Sequence, residues 1–435
     1  MFLNITKKKR QIFSLYSSMI LNIVLGIIIS IITTRYMGPK EYGVFTFLVN
    51  LLSIVPVLFT FGVFIAVQRL VAQNKNDRIR KELLGAVLVY TLVSSFLMTI
   101  IIFGYSFIDD VLYKNNMGII IRILSPLVII YQLQTCLENY LAGDNEIESL
   151  SINRTGPKII FLFFLFLIIT LTTKKLEAFY FNIIQMSGML AVYIFTVIKL
   201  KPQFGNLKKS LSIIFHEVKV YGIHEYTGTI FDVFTDRIAA FTILFFLTSK
   251  EVGFYSLSCT IAAPLALISG VVGTTFYKDF ANSNTLPSKP TKVTIALSVA
   301  SLIAFLLIIG KVILLFYSKA YVNVIHLTYI TAFGFTLWGI ADYVNRFLGS
   351  HGLGKEMRNA AFLVGVTNVV GFTGLVFLFG VMGAAITKLL AGAVYLSAMV
   401  YFYFKKREVI LTKSFTEKIL TVDNQQKLIS EEVTA

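Results

Sequence analysis

Apolar runs of about twenty residues recur along the whole chain, separated by short polar stretches. A run of ~20 apolar residues crosses the ~30 Å hydrocarbon core of a bilayer as a helix. Twelve such helices are predicted, over 12–36, 42–72, 83–108, 119–141, 157–173, 178–200, 220–247, 252–277, 294–317, 325–349, 359–380 and 382–404. No run alternates apolar and polar positions over ~10 residues, which excludes a membrane β-barrel. The expected class is an all-α polytopic membrane protein.

Composition agrees. The 435 residues are 56% hydrophobic and 14% charged, where soluble domains carry about 25% charged residues. Net charge is +16, but the basic residues sit in short loops between apolar runs, a pattern of membrane topology rather than of nucleic-acid binding. If both termini are cytoplasmic, the inner segments hold 23 Lys and Arg and the outer loops 6, namely Lys40, Lys114, Lys174, Lys175, Lys250 and Lys319. The basic stretch Lys7–Arg10 precedes a long apolar run with no small-residue cleavage site, so a retained first helix is expected. Cys136 and Cys259 fall inside apolar runs and imply no disulfide.

A repeat divides the chain. Lys40-Glu41-Tyr42-Gly43-Val44-Phe45-Thr46 recurs as Lys250-Glu251-Val252-Gly253-Phe254-Tyr255-Ser256, 210 positions on. Each copy follows the first helix of its half. Six helices per half is an even number, so the halves insert in parallel about an axis along the membrane normal. The expected units are a six-helix bundle over 1–205, a second over 206–405 and a polar cytoplasmic tail over 406–435.

Charges inside the apolar runs are the candidate chemistry. A charge at the centre of a membrane helix costs roughly 2.5–3.5 kcal/mol. Glu225, Asp232 and Asp236 fall within about 40° of one another around the seventh helix, and Arg237 lies about 100° from Asp236, off that stripe. One reading is a polar stripe on a wet cavity, with Asp232, Asp236, Glu225 and Asp342 as ion-coupling candidates; the other is structural pairing. Asp342 and Arg346 are four apart and can pair along one helix. Arg35, Arg69, Arg122 and Lys388 lie nearer helix ends, where long side chains can also snorkel. With Glu138, the membrane-embedded set carries more cations than anions. Such a cavity suits an anionic cargo, because guanidinium groups pair with phosphate oxygens. Arg237, Arg346, Lys388, Arg122, Arg35 and Arg69 are therefore the substrate-binding candidates. Gln134, Glu138 and Asn139 read as interfacial polarity. Pro56, Pro126 and Pro264 lie mid-run, each removing a helix hydrogen bond, and are hinge candidates.

Gly349–Glu356 nearly spells a phosphate-binding loop, but Glu356 stands where Ser or Thr must hold Mg²⁺. His216, His224, His326 and His351 are scattered, so no metal site is expected, and neither a cofactor nor an enzymatic activity is argued.

Arg35-Tyr36-Met37-Gly38-Pro39-Lys40-Glu41-Tyr42-Gly43-Val44-Phe45 resembles the first outer loop of Wzx-type polysaccharide and O-antigen repeat-unit flippases. Asp236-Arg237-Ile238 followed by Ser249–Ser256 is similar to the start of their second half, and Gly62-Val63-Phe64 with Arg69 to the end of their second helix. The resemblance covers roughly 12–405. It implies the multidrug/oligosaccharidyl-lipid/polysaccharide exporter fold: two six-helix bundles around a central cavity in a bacterial cytoplasmic membrane. It also implies the task, which is moving an undecaprenyl-diphosphate-linked glycan between leaflets for lipopolysaccharide or capsule assembly, alongside membrane lipid and other polysaccharide assembly proteins. Two alternatives stay open: an ion-coupled exporter of small amphipathic or cationic compounds, and a membrane enzyme of glycan polymerisation or ligation. Short outer loops argue against the enzyme.

Overall fold

The computed structural model describes residues 2–113, 117–171 and 177–434; the side chains of 1–16, 19, 112–113, 224–225, 227–229, 231–232, 234, 236, 278 and 408–435 lie outside the described set. The described residues are mostly helical, and no strand occurs among them. The first half comprises α1 (Phe2–Met37), α2 (Pro39–Leu58), α3 (Val63–Gln73), α4 (Asp77–Tyr113), α5 (Gly118–Leu124), α6 (Val128–Gly143), α7 (Ile147–Leu171) and α8 (Ala178–Leu200). A short helix, α9 (Leu207–Glu217), leads into the second half: α10 (Ile223–Phe246), α11 (Ser249–Ala262), α12 (Pro264–Thr275), α13 (Tyr277–Ala281), α14 (Ser288–Val312), α15 (Val324–Ser350), α16 (Gly354–Phe379) and α17 (Val381–Thr434). Eleven spans among the described residues are long and apolar enough to cross a membrane. The remaining predicted span, 220–247, is helical as α10, whose 24 residues rise ~36 Å. The expected polar tail continues α17 as helix to Thr434.

Several predicted single runs are broken. The run 42–72 divides after Leu58, two residues beyond Pro56, and the chain turns through Phe61 and Gly62, both at positive φ, 44° and 75°. The run 252–277 divides at Pro264, which opens α12. The run 119–141 divides at a 3₁₀ turn, Ser125–Leu127, that contains Pro126. Each of the three prolines thus stands at or next to a break, as loss of an N–H and ring crowding dictate. One boundary is corrected. The fifth run was expected from 157, but α7 begins at Ile147 and carries Pro157 in its interior. Arg154 therefore belongs to a helix and not to a polar loop, and Lys158 lies in the middle of that helix rather than at its start. Dropping them from the loop count leaves the bias of Lys and Arg intact.

The halves correspond element by element. Pro39 and Ser249 open the second helix of each, Asp77 and Ser288 the third, Ile147 and Gly354 the fifth, and Ala178 and Val381 the sixth. The halves meet through matching contacts: α2 on α11, and both α1 on α11 and α10 on α2. The bundle's flanks are apolar. Phe166, Leu307 and Phe377 are 70%, 75% and 69% exposed, the surface of a protein whose solvent there is hydrocarbon rather than water.

The end of the bundle carrying the α1–α2 and α10–α11 connections is closed by the repeated motif. A Cβ placed on Gly43 would fall 1.6 Å from the carbonyl oxygen of Ser249. One placed on Gly253 would fall 2.9 Å from the carbonyl oxygen of Pro39 and 3.1 Å from Cα of Gly43. Pro39 and Ser249 are repeat equivalents, as are Gly43 and Gly253, so the pseudo-twofold axis passes between the two glycines. Only hydrogen at both positions lets the backbones approach this closely. Around them Tyr321 stands edge-on to Tyr42 and Phe254, with centroids 6.4 and 6.0 Å away.

α2 is also tied to the second half at its other end. A Cβ on Gly62 would fall 2.4 Å from the carbonyl oxygen of Gly222, and one on Gly222 2.6 Å from that of Gly62. Gly222 ends a π-helical turn, Val218–Gly222, joining α9 to α10. Tyr226 Oη donates to the carbonyl of Leu58.

Candidate functional site

Below the glycine contact the halves part around a cavity of about 500 Å³. Its wall next to the closure is symmetric. Phe45, Thr46, Val49 and Asn50 of α2 face it, and so do their repeat equivalents Tyr255, Ser256, Cys259 and Thr260 of α11. Spacing i, i+1, i+4, i+5 is one face of a helix, so the repeated motif and the helical turn that follows it build both the closure and the cavity wall beneath it.

Farther from the closure the cavity is asymmetric. The first half contributes Asn153, Arg154, Pro157, Lys158 and Phe161 from one face of α7. It adds Gln185, Met189 and Tyr193 from one face of α8, and Tyr131 and Gln134 from α6. The second half contributes Arg237, Ala239 and Ala240 from α10, Phe335 from α15 and Lys388 from α17.

Four cations therefore face one cavity, and among the described residues no carboxylate lines it. Arg237 donates across the interface to Asn50 Oδ1, tying α10 to α2. Lys388 is buried, its Nζ 4.9 Å from the centroid of Phe335 and 5.2 Å from that of Trp338. Lys158 Nζ donates to the carbonyl of Asn22 at 2.9 Å. Arg154 pairs with Glu138 at 3.1 Å. Glu138 also accepts from Gln134 Nε2 at 2.9 Å, and Gln134 is the member of that polar cluster that lines the cavity. Aromatic faces beside the Lys388 ammonium and a carbonyl on that of Lys158 hold these cations against the cavity, where an anion would complement them.

The other predicted cations lie elsewhere. Arg35, at the end of α1, donates to the carbonyls of Phe316 and Leu315. Arg69 pairs with Glu217 at 2.7 Å and stacks over Tyr221 at 4.6 Å. Arg122 pairs with Asp110 at 2.5 Å, bonds Ser106 Oγ at 3.0 Å and covers Phe107 at 4.2 Å. Arg346 pairs with Asp342 at 2.9 Å, one turn away on α15, and the missing side chain of Gly273 makes room for it. Each of these four has a local protein partner and none lines the cavity. The side chains of Glu225, Asp232 and Asp236 lie outside the described residues. Among the described residues no group of three metal-ligating side chains gathers.

Arg154 and Lys158 are the residues that sequence reasoning missed. The signal was present: with the helix extended back from Pro157, Asn153, Arg154, Lys158 and Phe161 share one face.

The fold and the family are both recognisable among known proteins. A family model described as "Polysaccharide biosynthesis protein" matches residues 9–277. No curated protein matches the sequence. Among solved structures, lipid II flippase MurJ in an inward closed conformation superposes with TM-score 0.67 at 14% identity, over 93% of this chain and 92% of that one. An inward-facing multidrug resistance MATE family transporter of the MOP superfamily gives 0.65 at 13%, over 91% and 96%. A MOP superfamily transporter from Pyrococcus furiosus, noted for reversed polarity of its binding pocket, gives 0.60 at 14%, over 92% and 96%. At these identities the likeness is one of fold: that of MOP-superfamily transporters.

Proposed function

We propose, from the premise that the chain belongs to the polysaccharide biosynthesis protein family, that it is a flippase for undecaprenyl-diphosphate-linked oligosaccharides. It takes the cargo from the cytoplasmic to the outer leaflet of a bacterial cytoplasmic membrane, with both termini inside, for assembly of a surface polysaccharide such as O-antigen or capsule. The observation that carries the reading is the cavity between the halves, faced by Arg154, Lys158, Arg237 and Lys388. A diphosphate offers several oxygens to such donors, and bidentate contact with Arg adds geometric selection. The same positive potential opposes a small cationic cargo. Ion coupling through Asp232 and Asp236 is the finer part of the reading; their helix is the one that brings Arg237 to the cavity.

The glycine closure at the α1–α2 end fits alternating access, in which the halves rock about a central site. On this reading that end faces outward and is shut.

The test is deletion in the native host followed by extraction of lipid-linked saccharides. Complete repeat units accumulating on the inner leaflet, with surface polymer lost, is the expected result. Unchanged lipid intermediates would transfer the protein to small-molecule export, and truncated glycans would transfer it to synthesis.

A further inference from the structure

Three polar atoms in the first-half wall of the cavity are buried and have no hydrogen-bond partner within the protein: Tyr131 Oη, Asn153 Nδ2 and Gln185 Oε1. Asn153 as a whole is 1% exposed and Tyr131 7%. Buried polar atoms without partners are uncommon in folded proteins and cost ~1–3 kcal/mol each. Three on one cavity wall form a set.

The local packing shows how they come together. Thr196 Oγ1 donates to Asn153 Oδ1 at 3.0 Å, which orients that carboxamide and leaves its nitrogen over. Pro157, one turn along α7, has no N–H to give the carbonyl of Asn153. α7 and α8 approach closely where a Cβ on Gly156 would meet Val192 at 3.2 Å and one on Gly188 would meet Ile160 at 3.1 Å. Gln185 lies one turn before Gly188. Arg154 and Lys158 are on the same α7 face as Asn153. Among the described residues the matching wall of the second half offers Phe335 and Lys388 and no carboxamide.

From this we infer that Tyr131, Asn153 and Gln185 form a sugar subsite, which reads the uncharged sugar joined directly to the diphosphate. The inference rests on the flippase reading and adds the part of the cargo that the first half recognises. A hydroxyl, a carboxamide nitrogen and a carboxamide oxygen together give and accept hydrogen bonds without adding charge. Their complement is a neutral sugar that both donates and accepts through hydroxyl or acetamido groups. The neighbouring Arg154 and Lys158 place the diphosphate against the same wall. Tyr131, Tyr193 and Phe161 supply faces for the apolar side of a sugar ring. A cavity of about 500 Å³ is of the size that encloses one small ligand, so it takes the proximal part of the cargo and not a whole oligosaccharide.

The test is binding to the full chain in lipid nanodiscs. The probes are three short-chain polyprenyl diphosphates: one sugar-free, one carrying a hexose and one carrying an N-acetylhexosamine. Wild type is expected to bind at least one glycosylated probe about ten-fold more tightly than the sugar-free probe, and Tyr131→Phe and Gln185→Met each to remove about ten-fold from that preference. Both variants are expected to bind the sugar-free probe as wild type does, which also shows that they fold. Equal wild-type affinity for all three probes overturns the subsite and leaves the cationic site standing. Failure of wild type to bind any diphosphate probe overturns the flippase reading itself. Equal losses on glycosylated and sugar-free probes, or no loss on either, would make the three groups structural and also overturn the subsite.

Discussion

Gly43 and Gly253, equivalent positions of an internal repeat, lie back to back where the two halves of the molecule cross. A Cβ on the second would stand 3.1 Å from Cα of the first. Their partners across the crossing, Ser249 and Pro39, are repeat equivalents too. The contact is made by backbone alone, so its strength comes from close packing and its specificity from the absence of side chains.

Enlarging Gly43 should hold this end apart. Cys259 lines the cavity beneath the closure, and Cys136 is buried inside the first half. Gly43→Leu is expected to raise labelling of Cys259 by a membrane-impermeant maleimide added from the closed face, while Cys136 stays unlabelled. Gly253→Ala should act in the same direction but more weakly, because its nearest clash is at 2.9 Å rather than 1.6 Å. Unchanged labelling in both variants would show that the contact does not gate the cavity.

Arg237 links the halves through Asn50 and faces the cavity. Arg237→Lys should keep part of the transport rate, since charge remains but the planar fork is lost. Arg237→Glu should reduce transport by a hundred-fold or more, about 2.7 kcal/mol at 1.36 kcal/mol per decade. Proteoliposome flipping assays of the two variants check this, and equal rates for Lys and Glu would remove Arg237 from the cargo path.

Asp342 and Arg346 pair along α15 and are about a third exposed. Such i, i+4 pairs contribute roughly 0.3–0.5 kcal/mol. The double variant Asp342→Asn/Arg346→Gln is expected to transport within about two-fold of wild type. A ten-fold loss would return the pair to the list of functional charges.

A partly exposed pair, Arg69 on α3 with Glu217 at the end of α9, ties the first half to the helix that leads into the second. Breaking it should cost about 1 kcal/mol or less, with some further loss for Arg69→Ala because the guanidinium also covers Tyr221. Denaturation of Glu217→Arg and of the swapped double variant Arg69→Glu/Glu217→Arg checks this: the swap should recover the loss of the single substitution.

Much of this architecture could be read from residue order, and the misses have physical causes. Apolar periodicity places the helices because a bilayer demands a fixed length of hydrocarbon-compatible chain. The repeat was visible because the closure and the start of the cavity wall draw on the same motif twice. Arg237 and Lys388 were visible as charges in apolar surroundings. Arg154 and Lys158 were hidden by Gly156-Pro157, which reads as the start of a helix but lies within one. The carboxamides Asn153 and Gln185 were hidden for another reason: an uncharged polar side chain disturbs hydropathy little, and its value depends on which neighbours fail to satisfy it. Arg35, Arg69, Arg122 and Arg346 stood out by charge, yet each has a carbonyl or carboxylate of its own nearby. Their pairing depends on which helices become neighbours, and a single sequence does not display that.

A point lying on a symmetry axis meets itself. In an assembly of two identical halves, the crossing glycine would be written once in the gene and used twice. Here the halves share one chain, and the same contact is written at two separate codons. Damage to either is enough to spoil it, so this chain has twice as many nucleotides at which the closure can be lost as such an assembly would have.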